Sequence, residues 1–444
     1  EMLEGFSNKG MITVALLFLV SEGIRQSGTL GQVIKKLLPQ GKTTVFKAQL
    51  RILPSVAFIS AFLNNTPVVV IFAPIIKHWA KSVKLPATKF LIPLSYVTIL
   101  GGICTLIGTS TNLVVHGMIL EAGYEGFTMF ELGKVGIFIA IAGIIYLFIF
   151  SKRLLPDARP DTAVPDEEVE EGEKLHRVEA VLGARFPGIN KKLSDFNFQR
   201  HYGAEVKEIK TRNGQRYVDH LEDVVLREGD TLVVMADDTF IPTWGESSVF
   251  VLLTNGNDPD TSGKKKRWLA LILLVLMIVG ATVGELPATK EMFPDIKLDM
   301  FFFVCITTII MAWTNIFPAR KYTKYISWDI LITIACAFAI SKAMVNSGVA
   351  DCVAGFIIGL SDDYGPHVLL AILFVITNLF TELITNNAAA ALAFPLALSI
   401  SAQLGVSPTP FFVVICMAAS ASFSTPIGYQ TNLIVQGIGN YKFT

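Results

Sequence analysis

Phe62-Leu63-Asn64-Asn65-Thr66-Pro67 and Ile384-Thr385-Asn386-Asn387-Ala388 are two versions of one short stretch, and each is followed by a second polar break. After the first comes Gly108-Thr109-Ser110-Thr111-Asn112-Leu113, and after the second Gly428-Tyr429-Gln430-Thr431-Asn432-Leu433. Subtraction gives the interval: 432 − 112 and 428 − 108 are both 320, and Ser347-Gly348 stands 320 residues after Ser27-Gly28. The Asn-Asn pairs differ by 322 (386 − 64), so the loop between them is expected to absorb two residues. A polar signature repeated at that interval marks an internal duplication of about half a chain. All four motifs are amides and hydroxyls set in apolar sequence. Backbone broken at membrane depth is tolerated only where it lines a cavity, so the four clusters read as one binding site.

The composition agrees. The 444 residues are 52% apolar and 17% charged, with 31 Phe, and the mean hydropathy is +0.53. A soluble chain of this size carries more charge and fewer long apolar runs. A polytopic membrane protein with one polar insert is the reading. Basic and acidic residues balance at 37 each, which argues against a nucleic-acid partner. Cys104, Cys305, Cys336, Cys352 and Cys416 sit singly in apolar sequence, without metal-ligand or redox spacing. No nucleophile, triad or phosphate-cradling loop stands out, so an enzyme is not expected. The first residue is Glu1, with no initiator Met or signal peptide, which reads as a trimmed chain.

Met11 to Gly23 is strongly apolar and its helix is expected to end near Gly28. Leu30 to Leu38, with Lys35 and Lys36, is amphipathic and suits a membrane surface. Residues 48–80 are apolar but broken at Asn64-Asn65-Thr66-Pro67. Each half runs only about ten residues before a breaker or a charge, and a spanning helix needs about 20. A re-entrant hairpin is therefore expected, its Asn-Asn-Thr tip at mid-membrane. Residues 90–120 are long enough to cross and read as a span unwound at Gly108–Asn112. Phe130 to Phe150 is an ordinary span closed by Lys152 and Arg153. Later spans are expected at Leu269–Val283, Met300–Phe317 and Trp328–Ala343, a second hairpin over 367–404, and a second broken span over Pro410–Gly437. The expected fold class is a polytopic α-helical membrane protein, an inverted repeat with two re-entrant helical hairpins and two broken spans, plus a small soluble α+β insert. Internal symmetry places at least two further spans before residue 1 and one after residue 444.

The division expected is a first transmembrane repeat over 1–150, a linker over 151–173, the insert over 174–254, a linker over 255–267 and a second repeat over 268–444. Arg159 to Lys174 is rich in proline and acid, as a solvated linker is. The second linker ends in Lys264-Lys265-Lys266-Arg267-Trp268, a basic stop with an interfacial aromatic. Alternation predicts strands at Arg177–Leu182, Ala204–Lys210, Asp223–Leu226 and Thr231–Ala236. A helix is predicted over Leu193–Tyr202, stopped by Gly203, and a hairpin turn at Asn213-Gly214. If the insert is cytoplasmic, Lys35, Lys36, Lys42, Lys47, Arg51, Lys77, Lys81, Lys84 and Lys89 fall there too. Residues 349–367 and 401–410, without Lys or Arg, then fall outside, as the positive-inside rule requires. The two hairpins enter from opposite faces, the arrangement of an alternating-access transporter.

An asparagine at mid-membrane is costly unless helix–helix hydrogen bonds or a ligand satisfy it. Two Asn-Asn pairs, each in a hairpin and each partnered by a Thr-Asn break, favour a ligand. Helix ends at the tips offer free N–H groups and positive dipole ends to an anion. Asparagine and backbone carbonyls can coordinate Na⁺ beside it. No Lys or Arg lies within 59–73, 106–115, 381–394 or 422–435, so an anion bound there needs co-bound cations. That need is the physical basis of symport. Glu382 reads as a cation ligand or protonatable group, or else as an anchor for a backbone group. His116 and His367, near span ends, read as interfacial.

The Asn-Asn-Thr and Asn-Asn-Ala tips and the Gly-Thr-Ser-Thr-Asn break resemble the divalent anion/sodium symporter family of sulfate and dicarboxylate carriers. The resemblance covers essentially all the membrane residues, and Ser60, four before Asn64, matches the Ser that precedes the family's Ser-Asn-Thr tip. It implies a first sodium site at Ser60, Asn64, Asn65 and Gly108, and a second at Thr385, Asn387 and Gly428, with Glu382 where the family has Thr. It implies an anion held by Asn64, Asn65 and Thr66 from one tip and Asn386, Asn387 and Ala388 from the other. Thr111, Asn112, Thr431 and Asn432 of the breaks complete that set. Asn replaces Ser at both tips and Ala388 replaces the second Thr, so hydroxyls are lost where the family has them. The insert resembles the TrkA C-terminal (RCK-C) regulatory domain in Arg177–Leu182, Gly203–Lys210 and Leu226–Asp237, a domain of the sulfate-permease-like branch. Together the two resemblances imply sodium-coupled symport of a divalent inorganic anion, sulfate ahead of a dicarboxylate, with Na⁺ as the co-transported ion. A homodimer in the plasma membrane and a small-molecule regulator of the insert are further implications. An arsenite-type efflux antiporter and an ion channel gated by the insert stay open, although no filter like Thr-Val-Gly-Tyr-Gly is present.

Overall fold

A computed structural model of the chain describes residues 4–39, 41–157, 175–183, 185–212, 215–237, 240–244, 249–254, 264–292, 297–318, 320, 322–359, 365–425, 428–439 and 441. The predicted turn at Asn213-Gly214 and most of the two linkers lie outside the described residues. Helix α1 (Lys9–Gln26) starts where the Asn8 side chain accepts from the amides of Gly10 and Met11, and gives way at Gly28, whose φ is +71°. Then come α2 (Thr29–Leu37), α3 (Val45–Ser60), α4 (Asn65–Ser82), α5 (Thr88–Gly102), α6 (Ser110–Glu121) and α7 (Gly133–Leu154). The insert follows with β1 (His176–Leu182), α8 (Phe198–Tyr202), β2 (Glu205–Lys210), β3 (Arg216–Tyr217), β4 (Thr231–Ala236), α9 (Phe240–Trp244) and β5 (Phe250–Thr254). The chain continues through α10 (Lys264–Gly284), α11 (Pro287–Met292), α12 (Met300–Trp313), α13 (Tyr322–Tyr325) and α14 (Trp328–Asn346). It ends in α15 (Val349–Gly359), α16 (Pro366–Leu383), α17 (Asn386–Leu404), α18 (Thr409–Ser420) and α19 (Gln430–Gly439).

Five of the described helices, α7, α10, α14, α16 and α17, are long and apolar enough to cross a membrane. Along α7, Ile137, Phe138, Ile141, Ile145 and Ile149 stand exposed. Water would make such a face costly, whereas hydrocarbon does not. The protein is a polytopic membrane protein with a small antiparallel sheet inserted.

The duplication is visible in where helices begin. α15 starts 320 residues after α2 (349 − 29), α18 starts 321 after α5 (409 − 88), and α19 starts 320 after α6 (430 − 110). α17 starts 321 after α4 (386 − 65), which moves the sequence alignment of the tips by one residue. Asn65 matches Asn386, not Asn387; Asn64 and Thr385 are the residues before the helices; and Thr66 matches Asn387. The first hairpin is also longer than its sequence pattern suggests. α3 and α4 hold 16 and 18 residues, about 24 and 27 Å at 1.5 Å per residue. Pro54 and Pro74 lie within the helices without ending them, and the charges at Lys47, Arg51, Lys77 and Lys81 sit on their outer turns.

The insert is a five-stranded sheet in the order β3-β2-β4-β1-β5, antiparallel throughout. Phe186, Phe196, Phe198, Tyr202 and Phe250 pack edge and face under it. The predicted strands at 177–182, 204–210 and 231–236 form. The predicted strand at Asp223–Leu226 and the first half of the predicted helix at 193–202 do not join sheet or helix. Instead Leu193 N donates to Val224 O, and Leu226 N donates to Lys191 O just ahead of the predicted helix. β3 and β5 are strands the alternation did not reveal. β3 is only two residues long, and β5 lies in Phe250–Thr254, which is apolar almost throughout.

The sheet rests on the C-terminal ends of α4 and α19. Lys77 Nζ of α4 lies 2.8 Å from the Glu179 carboxylate of β1, and Lys210 Nζ is 3.3 Å from the same group. Gln436 Nε2 of α19 donates to Arg212 O at 2.8 Å. Backbones approach closely here: a Cβ on Gly437 would lie 2.8 Å from Thr231 Oγ1, and one on Gly229, at φ +85°, would lie 2.5 Å from Leu433 Cδ1.

Candidate functional site

Three helix starts converge without capping side chains. Asn64, Thr109 and Thr385 precede α4, α6 and α17, and none of them bonds the first turn with its side chain. Their first-turn N–H groups and positive dipole ends are left for another partner.

Asn65 organises the first half of the site. It is fully buried. Its amide nitrogen donates to Ser60 Oγ (2.8 Å), Thr98 O (3.1 Å) and Gly108 O (3.3 Å), and its oxygen accepts from the Tyr429 hydroxyl at 2.5 Å. Ser60 Oγ in turn donates to Thr98 O at 2.9 Å. The second half repeats this 321 residues on: Thr381 Oγ1 lies 2.6 Å from Ala419 O and 2.8 Å from Asn386 Oδ1. The residue matching Ser60 is therefore Thr381, one before Glu382. A search for a hydroxyl five residues ahead of a buried Asn would have found it in the sequence.

The breaks are closed in the same paired way. Asn112 Nδ2 donates to Thr105 O at 2.8 Å and Gly102 O at 3.4 Å. Asn432 Nδ2 donates to Ser422 O at 2.8 Å and Thr425 O at 3.4 Å. Asn432 Oδ1 also accepts from Ser95 at 2.7 Å, while buried Asn112 Oδ1 has no partner. Asn432 is thus committed at both ends to holding the second break, and the Asn112 oxygen is free to meet a ligand. Gly108 and Gly428 permit the fold-back, since a Cβ would collide with Gly102 O in one case and with Ser422 Oγ in the other.

Each tip is held by the other half's break. Thr66 Oγ1 donates to Gln430 Oε1 at 3.3 Å. Its mirror is Ser110 Oγ donating to Asn387 Oδ1 at 3.3 Å, joined by Thr111 Oγ1 at 3.3 Å. At the centre, Thr109 Oγ1 and the Tyr429 hydroxyl are 3.1 Å apart, and these positions match by 320 (429 − 109). Asn386 also bonds the Tyr429 hydroxyl. Thr109, Ser110, Tyr429 and Gln430 stand in the break motifs, but no sequence pattern favours them over Thr111, Asn112 and Thr431. Thr431 Oγ1 is buried without a partner. Asn64 lines a small cavity of about 20 Å³ with Ser21, Ser110 and apolar side chains of α1 and α10, room for about one water. Thr385 is exposed and Ala388, half-buried, matches Pro67 rather than Thr66.

Glu382 faces the second break. Its Oε1 accepts from the amides of Phe423 (3.0 Å) and Ser424 (2.9 Å), and its Oε2 accepts from Thr425 N at 2.9 Å. Three charge-assisted backbone N–H bonds, filling most of the carboxylate's four acceptor sites, suit an anchor. Between the two readings the sequence leaves open, this geometry supports the anchor. Glu382→Gln is then expected to keep the sodium and pH dependence of transport while lowering stability by about 1 kcal/mol, the cost of one part-buried amide losing its charged partner. Parallel uptake and melting measurements check it, and altered sodium dependence with unchanged melting would return the carboxylate to a cation.

Repeated helical halves that meet through polar hairpin tips, with no fixed cation among them, define a membrane transporter. The chain belongs to the citrate transporter (CitMHS) family, whose pattern matches residues 1–402 and again residues 295–444. It is 28% identical to an uncharacterised transporter of Synechocystis over 529 aligned positions, covering 100% of this chain and 86% of the relative. It is 25% identical to the uncharacterised transporter YfbS of Escherichia coli, covering 100% of this chain and 88% of the relative. A 30% identity to sodium/sulfate cotransporter 2 of Chlamydomonas reinhardtii covers 60% of this chain and 30% of that one. These matches agree with the divalent-anion resemblance of the tips, and they are to transporters, not enzymes.

Proposed function

We propose that the protein is a secondary active transporter that couples Na⁺ entry to the uptake of a divalent inorganic anion, sulfate, by alternating access. The observation that carries this is the cross-half pairing of tips and breaks around Asn65, Tyr429 and Asn386, in a region without Lys or Arg. An anion held there by N–H groups, hydroxyls and amides remains uncompensated until cations load beside it. Ser60, Asn64, Asn65 and Gly108 would hold one Na⁺ through their oxygens. Thr385, Asn387 and Gly428, with Thr381 and Asn386 added by the one-residue shift, would hold the other. Asn64, Thr66, Asn387 and Thr111 would receive the anion, and the Asn112 oxygen, an acceptor, would face a cation beside it. Relatives named as sodium/sulfate cotransporters support the choice of ions. The insert would be a cytoplasmic, RCK-C-like regulatory domain open to a small-molecule regulator, and the protein a homodimer of the plasma membrane.

Uptake of labelled sulfate into proteoliposomes under an inward sodium gradient tests the coupling. Accumulation above the external concentration is expected. Flux without accumulation would identify a channel, and accumulation only in the outward direction an exporter. Orientation is tested separately, in a variant without native cysteines. A cysteine at exposed Glu205 should be labelled from the cytoplasm alone and one at Val406 from outside alone. Labelling of the two from one face would remove the inverted arrangement.

A further inference from the structure

We propose that the Tyr429 side chain decides which anions this site admits: its ring fills the midline between the two hairpin tips, excluding a dicarboxylate and leaving room for a compact tetrahedral oxyanion. This selection rests on the anion-transport reading above and narrows its substrate class.

The two halves mirror each other at the site. Ser60 and Thr381, Asn65 and Asn386, Thr66 and Asn387, and Asn112 and Asn432 occupy matching places with polar side chains of similar reach. Thr109 and Tyr429 also match, yet one is a short hydroxyl and the other a phenol. The longer side chain comes from the second half, is almost wholly buried, and reaches Asn65 of the first tip at 2.5 Å. It bonds Asn386 of the second tip as well. One hydroxyl thus touches the buried Asn of each tip, so the outer end of the phenol stands in the gap between them.

That position discriminates by shape. An extended dicarboxylate places its two charges at opposite ends and must lie along a clear line from one tip to the other. A buried aromatic ring on that line cannot be displaced without loss of close packing. A tetrahedral oxyanion needs only one pocket of donors, such as the free helix starts at Asn64, Thr109 and Thr385. The phenol's one O–H is already given to Asn65, so the side chain selects by shape and by holding that tip. Gly428 immediately before it has no space for a Cβ, so the ring's root is fixed.

The test uses the full chain in proteoliposomes with inorganic sulfate and succinate as probes. Wild-type protein is expected to take up sulfate with sodium and to ignore a tenfold excess of succinate. Tyr429→Thr, which copies Thr109, is expected to let succinate compete, with the apparent KM for sulfate rising at least tenfold. Tyr429→Phe keeps the ring, so it should still exclude succinate while its uptake rate falls. If the threonine variant does not give monodisperse protein, Tyr429→Leu carries the same expectation, because it too removes the outer ring. A folded Thr or Leu variant that still excludes succinate, or a Phe variant that admits it, overturns the filter. Wild-type protein that takes succinate as readily as sulfate also overturns the filter but leaves sodium-coupled anion transport standing. Wild-type protein that takes up neither overturns that reading and the filter with it.

Discussion

Asn387→Ala is expected to reduce sodium-driven sulfate uptake by two orders of magnitude or more while leaving the melting temperature within a few degrees of wild type. Asn387 Oδ1 is held by two hydroxyls at 3.3 Å, long bonds whose loss costs little. The side chain sits at the start of α17 beside the first break, where the proposed second cation and the anion meet. A residue that contributes little to the resting fold and much to transport separates a ligand role from a packing role. Asn65→Ala is expected to abolish uptake too, but with a clear loss of stability. Its removal takes one partner from each of Ser60, Thr98 O, Gly108 O and Tyr429. Ser60 and Thr98 O keep each other and Tyr429 keeps Thr109 and Asn386, so the cost falls chiefly on Gly108 O, at about 1–3 kcal/mol. The milder Asn65→Ser should raise the sodium concentration needed for half-maximal uptake before it raises that for sulfate. Wild-type uptake in Asn387→Ala would return the tip asparagines to helix packing.

The repeat and the tips were legible because polar residues in apolar sequence are few enough for a fixed interval to stand out. The breaks, the hairpins and the amphipathic α2 followed from the same reading. The register of the tips was not legible. Two adjacent asparagines look like matching pairs, and it takes the helix starts and the bonds joining Ser60 to Asn65 and Thr381 to Asn386 to show that Asn65 corresponds to Asn386. Glu382 was conspicuous as a charge, but a sequence does not tell which way a carboxylate turns. Its three amide partners lie 41 to 43 residues away, at a break whose geometry the fold decides. Tyr429 escaped notice for the opposite reason, since an aromatic in a membrane sequence carries no signal. In the insert, strands with clean alternation were found, and the two-residue β3 was too short to show a period.

Lys77→Ala is expected to speed sulfate uptake several-fold, because it cuts a mostly buried ion pair that ties the insert to the transport helices. α4 begins at Asn65 in the site and reaches Lys77 twelve residues later (77 − 65), about 18 Å along the helix. α19 likewise begins beside the site at Gln430 and meets the insert at Gln436. One domain therefore grips the far ends of two helices that belong to different halves. Alternating access requires those halves to rearrange, so a bridge between them resists the motion. Burial alone would raise the Glu179 carboxyl, but Lys77 and Lys210 more than offset it and hold the group down at about 2 against an ordinary 4.5. A depressed folded value means the stabilisation is full above pH 4.5 and is lost as pH falls toward 2; the whole shift is worth about 3 kcal/mol. Lys210 belongs to the insert itself, so only the Lys77 share of that energy bears on docking. Glu179→Ala should release the grip more completely than Lys77→Ala, since it leaves two lysines facing each other without their carboxylate. The double variant should be no faster than Glu179→Ala, because the tie it removes is already gone. Hydrogen exchange across 176–236 should show β1 to β4 still protected in each variant, so that any change in rate belongs to the docking and not to an unfolded insert. Unchanged uptake in Lys77→Ala and Glu179→Ala would mean that the sheet rides on the two helices without restraining them.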